Sequence, residues 1–154
     1  MKYFVFILTA LILLSCMPSE LTKEQSEVVY SHKIPLSKSD LKLKILSFVN
    51  EKYHSGKAVI QTNDDGIVSG NIVISDFAGN FIVRTSLEYT FIIKYQDAAY
   101  KIKCIVKDIR NTDSRQTYSQ NPSQWGSYAK EVQSAFDTFD TSLNNYLNEK
   151  NSEF

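Results

Sequence analysis

LEYTFIIKY, residues 87–95, decides the fold, because its side chains alternate between two different surfaces. A period of two residues places successive side chains on opposite faces of a β-strand. One face carries only large apolar or aromatic residues, namely Leu87, Tyr89, Phe91, Ile93 and Tyr95. The other face carries Glu88, Thr90, Ile92 and Lys94. The stretch therefore predicts a strand with one buried and one exposed face, which is typical of an antiparallel sheet.

The next segment repeats this pattern after a short turn at residues 96–99. Its apolar positions are Tyr100, Ile102, Cys104 and Val106, and its alternate positions are Lys101, Lys103, Ile105 and Lys107. Two alternating runs joined by so short a connection are expected to pair as an antiparallel hairpin.

Three further strands are predicted upstream. Ala58 to Thr62 leads through Asn63-Asp64-Asp65-Gly66 to a return strand from Ile67 to Ser75, and Asp-Gly is a strong tight-turn signal. An earlier strand runs from Val28 to Ile34, where Pro35 ends it. In this first strand Val28, Tyr30 and Ile34 alternate with Val29, Ser31 and Lys33.

Two helices are predicted from apolar stripes of helical period. Ser37 and Asp40 have the spacing of a capping box before a helix that stops near Ser55-Gly56, and a second helix begins near Ser123 to Gly126 and ends near Leu147. The first stripe comprises Leu41, Ile45, Phe48, Val49 and Tyr53. The second comprises Trp125, Val132, Phe136, Phe139, Leu143 and Tyr146.

The element order is therefore strand, helix, four strands, helix. A five-stranded antiparallel sheet with both helices on one face buries all the stripes together, so we expect a single α+β domain over residues 28–147. Residues 111–124 are polar, include Pro122, and are predicted to form a loop.

The chain resembles the bacterial family called domain of unknown function 4468, whose fold is TBP-like. The resemblance covers about residues 28–111, and the last helix matches in position only. It rests on the Ser37 to Val49 helix start after Ile34-Pro35, on Val59-Ile60-Gln61 leading through Asp64-Asp65-Gly66 to Ile67-Val68-Ser69-Gly70, and on residues 89–94 paired with residues 100–104. The resemblance implies a β-α-β-β-β-β-α order and brings no established activity.

The N-terminus predicts a lipid anchor. Lys2 precedes an apolar run that is too short to span a membrane, and Leu13-Leu14-Ser15-Cys16 resembles the lipobox of bacterial lipoproteins. We therefore expect a signal peptide at residues 1–15, acylation of Cys16 (for example by palmitate), a flexible tether over residues 16–27 and a frayed tail over residues 148–154. The expected location is the bacterial cell envelope, with the outer membrane favoured over the inner.

Charge and cysteine content exclude several functions. The chain has equal numbers of basic and acidic residues, and the only charged side chain in residues 1–15 is Lys2, so removal of this segment changes the net charge by one unit. Because a near-neutral chain has no global field to attract a polyanion, we expect no nucleic-acid partner. Once Cys16 carries lipid, only Cys104 remains, so neither an internal disulfide nor a cysteine zinc site is expected. Cys104 is interpreted as a buried core residue.

Catalytic and metal-binding patterns were not found. The two histidines, His32 and His54, have no acidic or cysteine companion at ligand spacing, and Asp64 and Asp65 are interpreted as turn residues. We therefore predict no catalytic residue, no metal, no cofactor and no enzymatic activity.

Two features remain as candidate interaction sites. One is the exposed sheet face formed by Thr90, Ile92, Lys94, Lys101, Lys103, Ile105 and Lys107, which corresponds to the binding face of the TATA-binding protein but is also compatible with a merely solvated sheet. The other is the aromatic group Tyr118, Trp125 and Tyr128, although Trp125 is better interpreted as the start of the core stripe of the last helix.

The functional hypothesis is a non-enzymatic lipoprotein that binds another envelope protein or has an accessory role. The alternatives are an envelope hydrolase with an unrecognised site and a purely structural lipoprotein.

Overall fold

A computed structural model describes residues 19–53, 58–79, 84–112 and 116–149. The predicted signal peptide, Cys16, His54, the predicted helix end at Ser55-Gly56 and residues 150–154 lie outside the described residues. The expectations that fall on them therefore remain predictions.

The described strands form one antiparallel sheet. In chain order they are β1 (Glu27–Lys33), β2 (Ala58–Asp64), β3 (Ile67–Gly79), β4 (Arg84–Gln96), β5 (Ala99–Thr112) and β6 (Thr117–Ser119). The order across the sheet is β1-β5-β4-β3-β2, and β6 continues the β1 edge by pairing with the end of β5. The hairpin that the sequence predicted between residues 87–95 and 100–107 is confirmed, with Phe91 opposite Cys104 and Ile93 opposite Ile102.

The helices pack on one face of this sheet. They are α1 (Lys23–Ser26), α2 (Lys38–Lys52) and α3 (Ala129–Glu149), and a 3-10 helix at Pro122–Tyr128 precedes α3. Ser37 caps α2, since its hydroxyl oxygen accepts from the backbone nitrogen of Asp40 at 3.2 Å. The predicted α+β class and the placement of both long helices on one sheet face are confirmed.

Aromatic rings fill the layer between sheet and helices. Tyr89 of β4 packs edge-on against Phe136 of α3, with ring centroids 5.3 Å apart, and Phe91 lies 5.4 Å from Phe139. Phe48 of α2 contacts the same Phe139 at 5.8 Å. These five side chains are almost completely buried. The core is therefore continuous across the sheet, α2 and α3.

The ordered domain is longer at both ends than the predicted boundaries. Residues 19–26 were assigned to the flexible tether, yet Leu21 packs against the core and Thr22 caps α1 through a capping box with Gln25. At the other end α3 continues to Glu149, and the side-chain nitrogen of Asn148 donates to the carbonyl of Asn144 at 2.7 Å. Local hydrogen bonds and tertiary packing order both of these segments. Apolar periodicity in the sequence does not detect such interactions.

The predicted loop at residues 111–124 also contains regular structure. Residues 117–119 form β6, which pairs with Arg110 to Thr112 of β5. The 3-10 helix then begins at Pro122, where Asn121 caps it, instead of an α-helix beginning between Ser123 and Gly126. Strand β6 was missed because a strand of three residues has no measurable alternation.

Candidate interaction face

All seven residues of the predicted exposed face lie on the side of the sheet away from the helices. Strand parity places them there, because their neighbours Phe91, Ile93 and Cys104 are buried in the core. Strand β1 adds Val29, Ser31 and Lys33 to the same surface, since Val29 and Ser31 lie opposite Lys103 and Lys101. We call this surface the helix-free face.

Several polar groups of the helix-free face are paired with neighbours. Lys103 makes an ion pair of 2.7 Å with Glu27, and both side chains are about one third exposed. Thr90 donates to the side-chain oxygen of Asn71 at 2.8 Å. Such contacts hold adjacent strands together, and the charge of Lys103 is locally compensated.

A second set of paired charges surrounds Glu88. A bulge in β5 puts Lys107 beside this carboxylate, and Lys107 and Arg110 approach its two oxygens at 2.7 and 2.6 Å. Arg110 also contacts Asp108 at 2.7 Å. The pKa of Arg110 is raised, mainly by its hydrogen bond to Asp108. The side chain of Glu88 is only 11% exposed, so the cluster is a compensated, partly buried network rather than a free cation site.

Lys94 and Lys101 differ from the other lysines of the face. They lie directly opposite each other on β4 and β5, and Lys33 at the end of β1 joins them in lining a concavity of about 450 Å³. All three side chains are exposed. Among the residues that the structure describes, none of the three has an acidic partner within ion-pair distance. We call Lys33, Lys94 and Lys101 the basic patch.

The patch occupies one end of the sheet, next to the turn between β4 and β5. Ala98 adopts a positive φ of 58° in this turn, and its backbone nitrogen donates to the carbonyl of Leu36 at 2.9 Å. The carboxylate of Asp97 accepts from the backbone nitrogen of Lys38 at 2.8 Å. These contacts fix the turn against the start of α2, so the lysines project from a well-supported part of the backbone.

Lys33 was not predicted as a site residue. Its parity in β1 was visible, but the sequence does not show that β1 lies beside β5, because these strands are far apart in the chain. The structure places Lys94 beside Lys101, adds Lys33 to them, and pairs Lys103 with Glu27 and Lys107 with Glu88.

His32 has an acidic neighbour on α3. Its Nε2 lies 2.7 Å from Oδ1 of Asp140 on α3, and its ring stacks on Tyr100 with centroids 4.9 Å apart. Asp140 lies 108 residues from His32 in the chain, far outside the ligand spacing that the sequence could be searched for. Nearby, Tyr30 donates to Asp137 at 2.6 Å and Tyr100 donates to Asn144 at 3.0 Å. The three hydrogen bonds join one stripe of α3 to β1 and β5.

Cys104 is buried, as the sequence predicted, and burial raises the pKa of its thiol to about 12. A protonated, inaccessible thiol is a poor nucleophile. Within the described ranges, no three His, Cys, Asp or Glu side chains are arranged to hold a metal ion. No helix in those ranges has the length and apolarity needed to cross a membrane.

The predicted aromatic group divides between core and surface. Trp125 and Tyr128 are partly buried and pack against the core, where the ring of Tyr128 lies 5.8 Å from that of Phe77. Tyr118 on β6 is 42% exposed. Trp125 donates from Nε1 to the carbonyl of Gln120 at 3.2 Å. The alternative interpretation of Trp125 as a core residue therefore holds in part.

Comparison with known proteins supports the fold. No family model and no curated protein matches the sequence. A solved structure of a DUF4468 family protein from Bacteroides ovatus ATCC 8483 is similar, with a TM-score of 0.59 and 13% identity over 83% of this chain and 90% of that chain. A TBP-like protein from Parabacteroides distasonis ATCC 8503 gives a TM-score of 0.58 and 12% identity over 83% of this chain and 97% of that one. The chain thus has the TBP-like α+β fold that its sequence resemblance implied, and it shares this fold with a DUF4468 family protein.

Proposed function

We propose that this chain is a lipid-anchored protein of the bacterial cell envelope whose single domain binds an acidic segment of another envelope protein. The anchor is the acylated Cys16, and the binding surface is the basic patch on the helix-free face. In this proposal the protein positions or assists its partner and has no catalytic role of its own.

The observation that carries the proposal is the absence of acidic partners for Lys33, Lys94 and Lys101 within the described part of the chain. Like charges directly opposite each other on paired strands destabilise a sheet by a few tenths of a kcal/mol or more. Other lysines of the same face are compensated by Glu27 and Glu88. A region that keeps three uncompensated cations around one concavity is suited to an incoming carboxylate group.

The sequence features at the N-terminus support the anchor. An apolar run that ends in Leu13-Leu14-Ser15-Cys16 is typical of lipoprotein precursors. A near-neutral chain with a local basic concavity also fits a protein ligand better than a nucleic acid, whose binding requires many phosphate contacts.

The contact between His32 and Asp140 is the observation that bears on the rival hypothesis of an envelope hydrolase. A histidine oriented by a carboxylate activates a nucleophile only when that nucleophile lies within hydrogen-bond reach of the ring. In the described hydrogen bonds His32 has Asp140 as its side-chain partner, and its ring is stacked on Tyr100. We therefore interpret the contact as a structural link between β1 and α3.

The test is capture of the partner by chemical crosslinking in intact envelopes of the native organism. The full-length lipoprotein is compared with a variant that carries Lys33→Glu, Lys94→Glu and Lys101→Glu. The expected result is loss of the crosslinked partner, because three reversed charges repel an acidic segment. Circular dichroism of the purified variant establishes that the fold is retained.

A matched control reverses the same number of charges elsewhere. Lys23, Lys52 and Lys130 are exposed and lie on α1, α2 and α3, away from the helix-free face. Their replacement by Glu is expected to leave capture unchanged. Equal capture by the folded patch variant and the wild type would contradict the proposed binding surface, and loss of capture in both triple variants would indicate a non-specific charge effect.

The anchor is tested separately by Cys16→Ser. This variant is expected to remain unprocessed or to leave the detergent phase on phase partitioning, because acyl chains provide the anchoring free energy at about 0.8 kcal/mol per buried methylene. Retention in the detergent phase of a Cys16→Ser chain that lacks residues 1–15 would contradict the proposed anchor.

A further inference from the structure

Ser19, the first residue that the structure describes, contacts the 3-10 helix that precedes α3. The backbone nitrogen of Gly126, in the 3-10 helix, donates to the carbonyl oxygen of Ser19 at 2.6 Å. A Cβ atom on Gly126 would overlap the same carbonyl, so only glycine permits this approach. Two residues later Leu21 packs against the core. Ser19 is therefore held against the 3-10 helix that contains Trp125 and Tyr128.

This contact limits how far the domain can stand from its anchor. Ser19 is the third residue after Cys16. Three Cα–Cα steps of about 3.8 Å each span at most roughly 11 Å. If Cys16 is acylated, as the proposed function requires, the 3-10 helix lies within about one headgroup layer of the hydrocarbon core.

The composition of the segment that contains β6 and the 3-10 helix suits a membrane interface. The segment from Gln116 to Ala129 contains no charged residue, although 22% of the whole chain is charged. The same segment contains Tyr118, Trp125 and Tyr128, and we call these three residues the aromatic end. Tryptophan and tyrosine concentrate at membrane interfaces, because their rings are apolar while their N–H or O–H groups form hydrogen bonds in the headgroup layer.

We propose that the aromatic end rests on the bilayer surface and that its partner there is the neutral headgroup region of phospholipids. This inference depends on the lipid anchor of the proposed function and adds the orientation of the domain. The basic patch then faces away from the membrane. Lys101 belongs to the basic patch, whereas Arg110, near the other end of β5, pairs with Ser119 of β6 beside the aromatic end. Nine residues of extended strand, at about 3.3 Å per residue, separate Lys101 from Arg110 by roughly 30 Å.

The test uses Trp125, which is the only tryptophan in the chain. The mature acylated protein, which begins at Cys16, is reconstituted in vesicles of phosphatidylcholine whose acyl chains carry bromine close to the headgroup. We expect a loss of Trp125 fluorescence relative to unbrominated vesicles of the same lipid. The same mature chain with Cys16→Ser, produced without residues 1–15 and therefore unacylated, is mixed with the same vesicles and is expected to show no such loss.

A second variant tests the orientation. Trp125→Phe combined with Lys94→Trp moves the single fluorophore to the basic patch, and bromine is expected to leave its emission unchanged. Mass spectrometry first verifies that the protein is acylated. In acylated protein, either equal quenching at both positions or an unquenched Trp125 would overturn the proposed orientation and leave the anchor intact. Absence of acylation would overturn the anchor itself, and the orientation with it.

Discussion

Lys94 of β4 and Lys101 of β5 are direct cross-strand neighbours on the helix-free face of the sheet. The pair lies between Ile67 of β3 and Ser31 of β1, so neither flanking strand supplies an opposite charge at that position. This relationship has a cost in stability that Lys103 and Lys107 avoid through their ion pairs with Glu27 and Glu88. It therefore connects the energetics of the sheet with the proposed binding surface.

Lys94→Glu is predicted to stabilise the domain while it weakens partner capture. The substitution replaces a repulsive cross-strand pair with an attractive one, which contributes about 0.2–1 kcal/mol to the free energy of unfolding. Denaturant midpoints measured at low and high salt provide the check, and the gain should shrink with salt because the pair is exposed. A lower midpoint at low salt would show that Lys94 has a stabilising contact.

The shared core predicts large losses for Phe91→Ala on β4 and Phe136→Ala on α3. Both rings are fully buried, so each truncation is expected to lower the free energy of unfolding by about 3–5 kcal/mol. Lys94→Ala serves as the control and should change it by less than about 0.5 kcal/mol. Urea denaturation of the three variants measures these values. Similar losses for the lysine and the phenylalanines would mean that the two sheet faces are assigned the wrong way round.

Gly126→Ala is predicted to detach the N-terminal segment from the domain. The added methyl group overlaps the carbonyl of Ser19, so the hydrogen bond between these residues cannot form as it does in the wild type. We expect a loss of about 1–3 kcal/mol and faster proteolysis near residues 19–26. Ser19→Ala retains the backbone carbonyl and is the matched control, expected within about 0.5 kcal/mol of wild type. Equal proteolysis of both variants would contradict this account of the contact.

Cys104 is predicted to resist thiol reagents until the domain unfolds. In the Cys16→Ser protein it is the sole cysteine, so a chromogenic disulfide reagent reports on it alone. Burial raises the pKa of the thiol from its ordinary value of 9.0 to about 12, and therefore the folded state favours the protonated form. This contribution to stability is complete below pH 9 and is lost as the pH rises toward 12. Rapid labelling at pH 8 without denaturant would contradict the assignment.

Much of the domain follows from local pattern. Alternation in residues 87–95 identified the buried face of β4, and the same rule assigned Phe91 and Lys94 to opposite sides of the sheet. Gly66, with its positive φ of 84°, ends the turn that the Asp-Gly signal predicted between β2 and β3. Such features are visible in the sequence because a side chain's direction depends on its own strand or helix alone.

The sequence by itself therefore determined the α+β class, the strand faces, the two long helices and the burial of Cys104. The tertiary structure alone decided which distant residues meet: His32 with Asp140, Ser19 with Gly126, and Lys33 with Lys94 and Lys101. The physical reason is that strand order and helix docking are chosen by burial of the whole apolar surface, to which no short segment contributes a distinctive signal. Free and compensated lysines look alike along the chain, and they differ only through the neighbours that folding supplies.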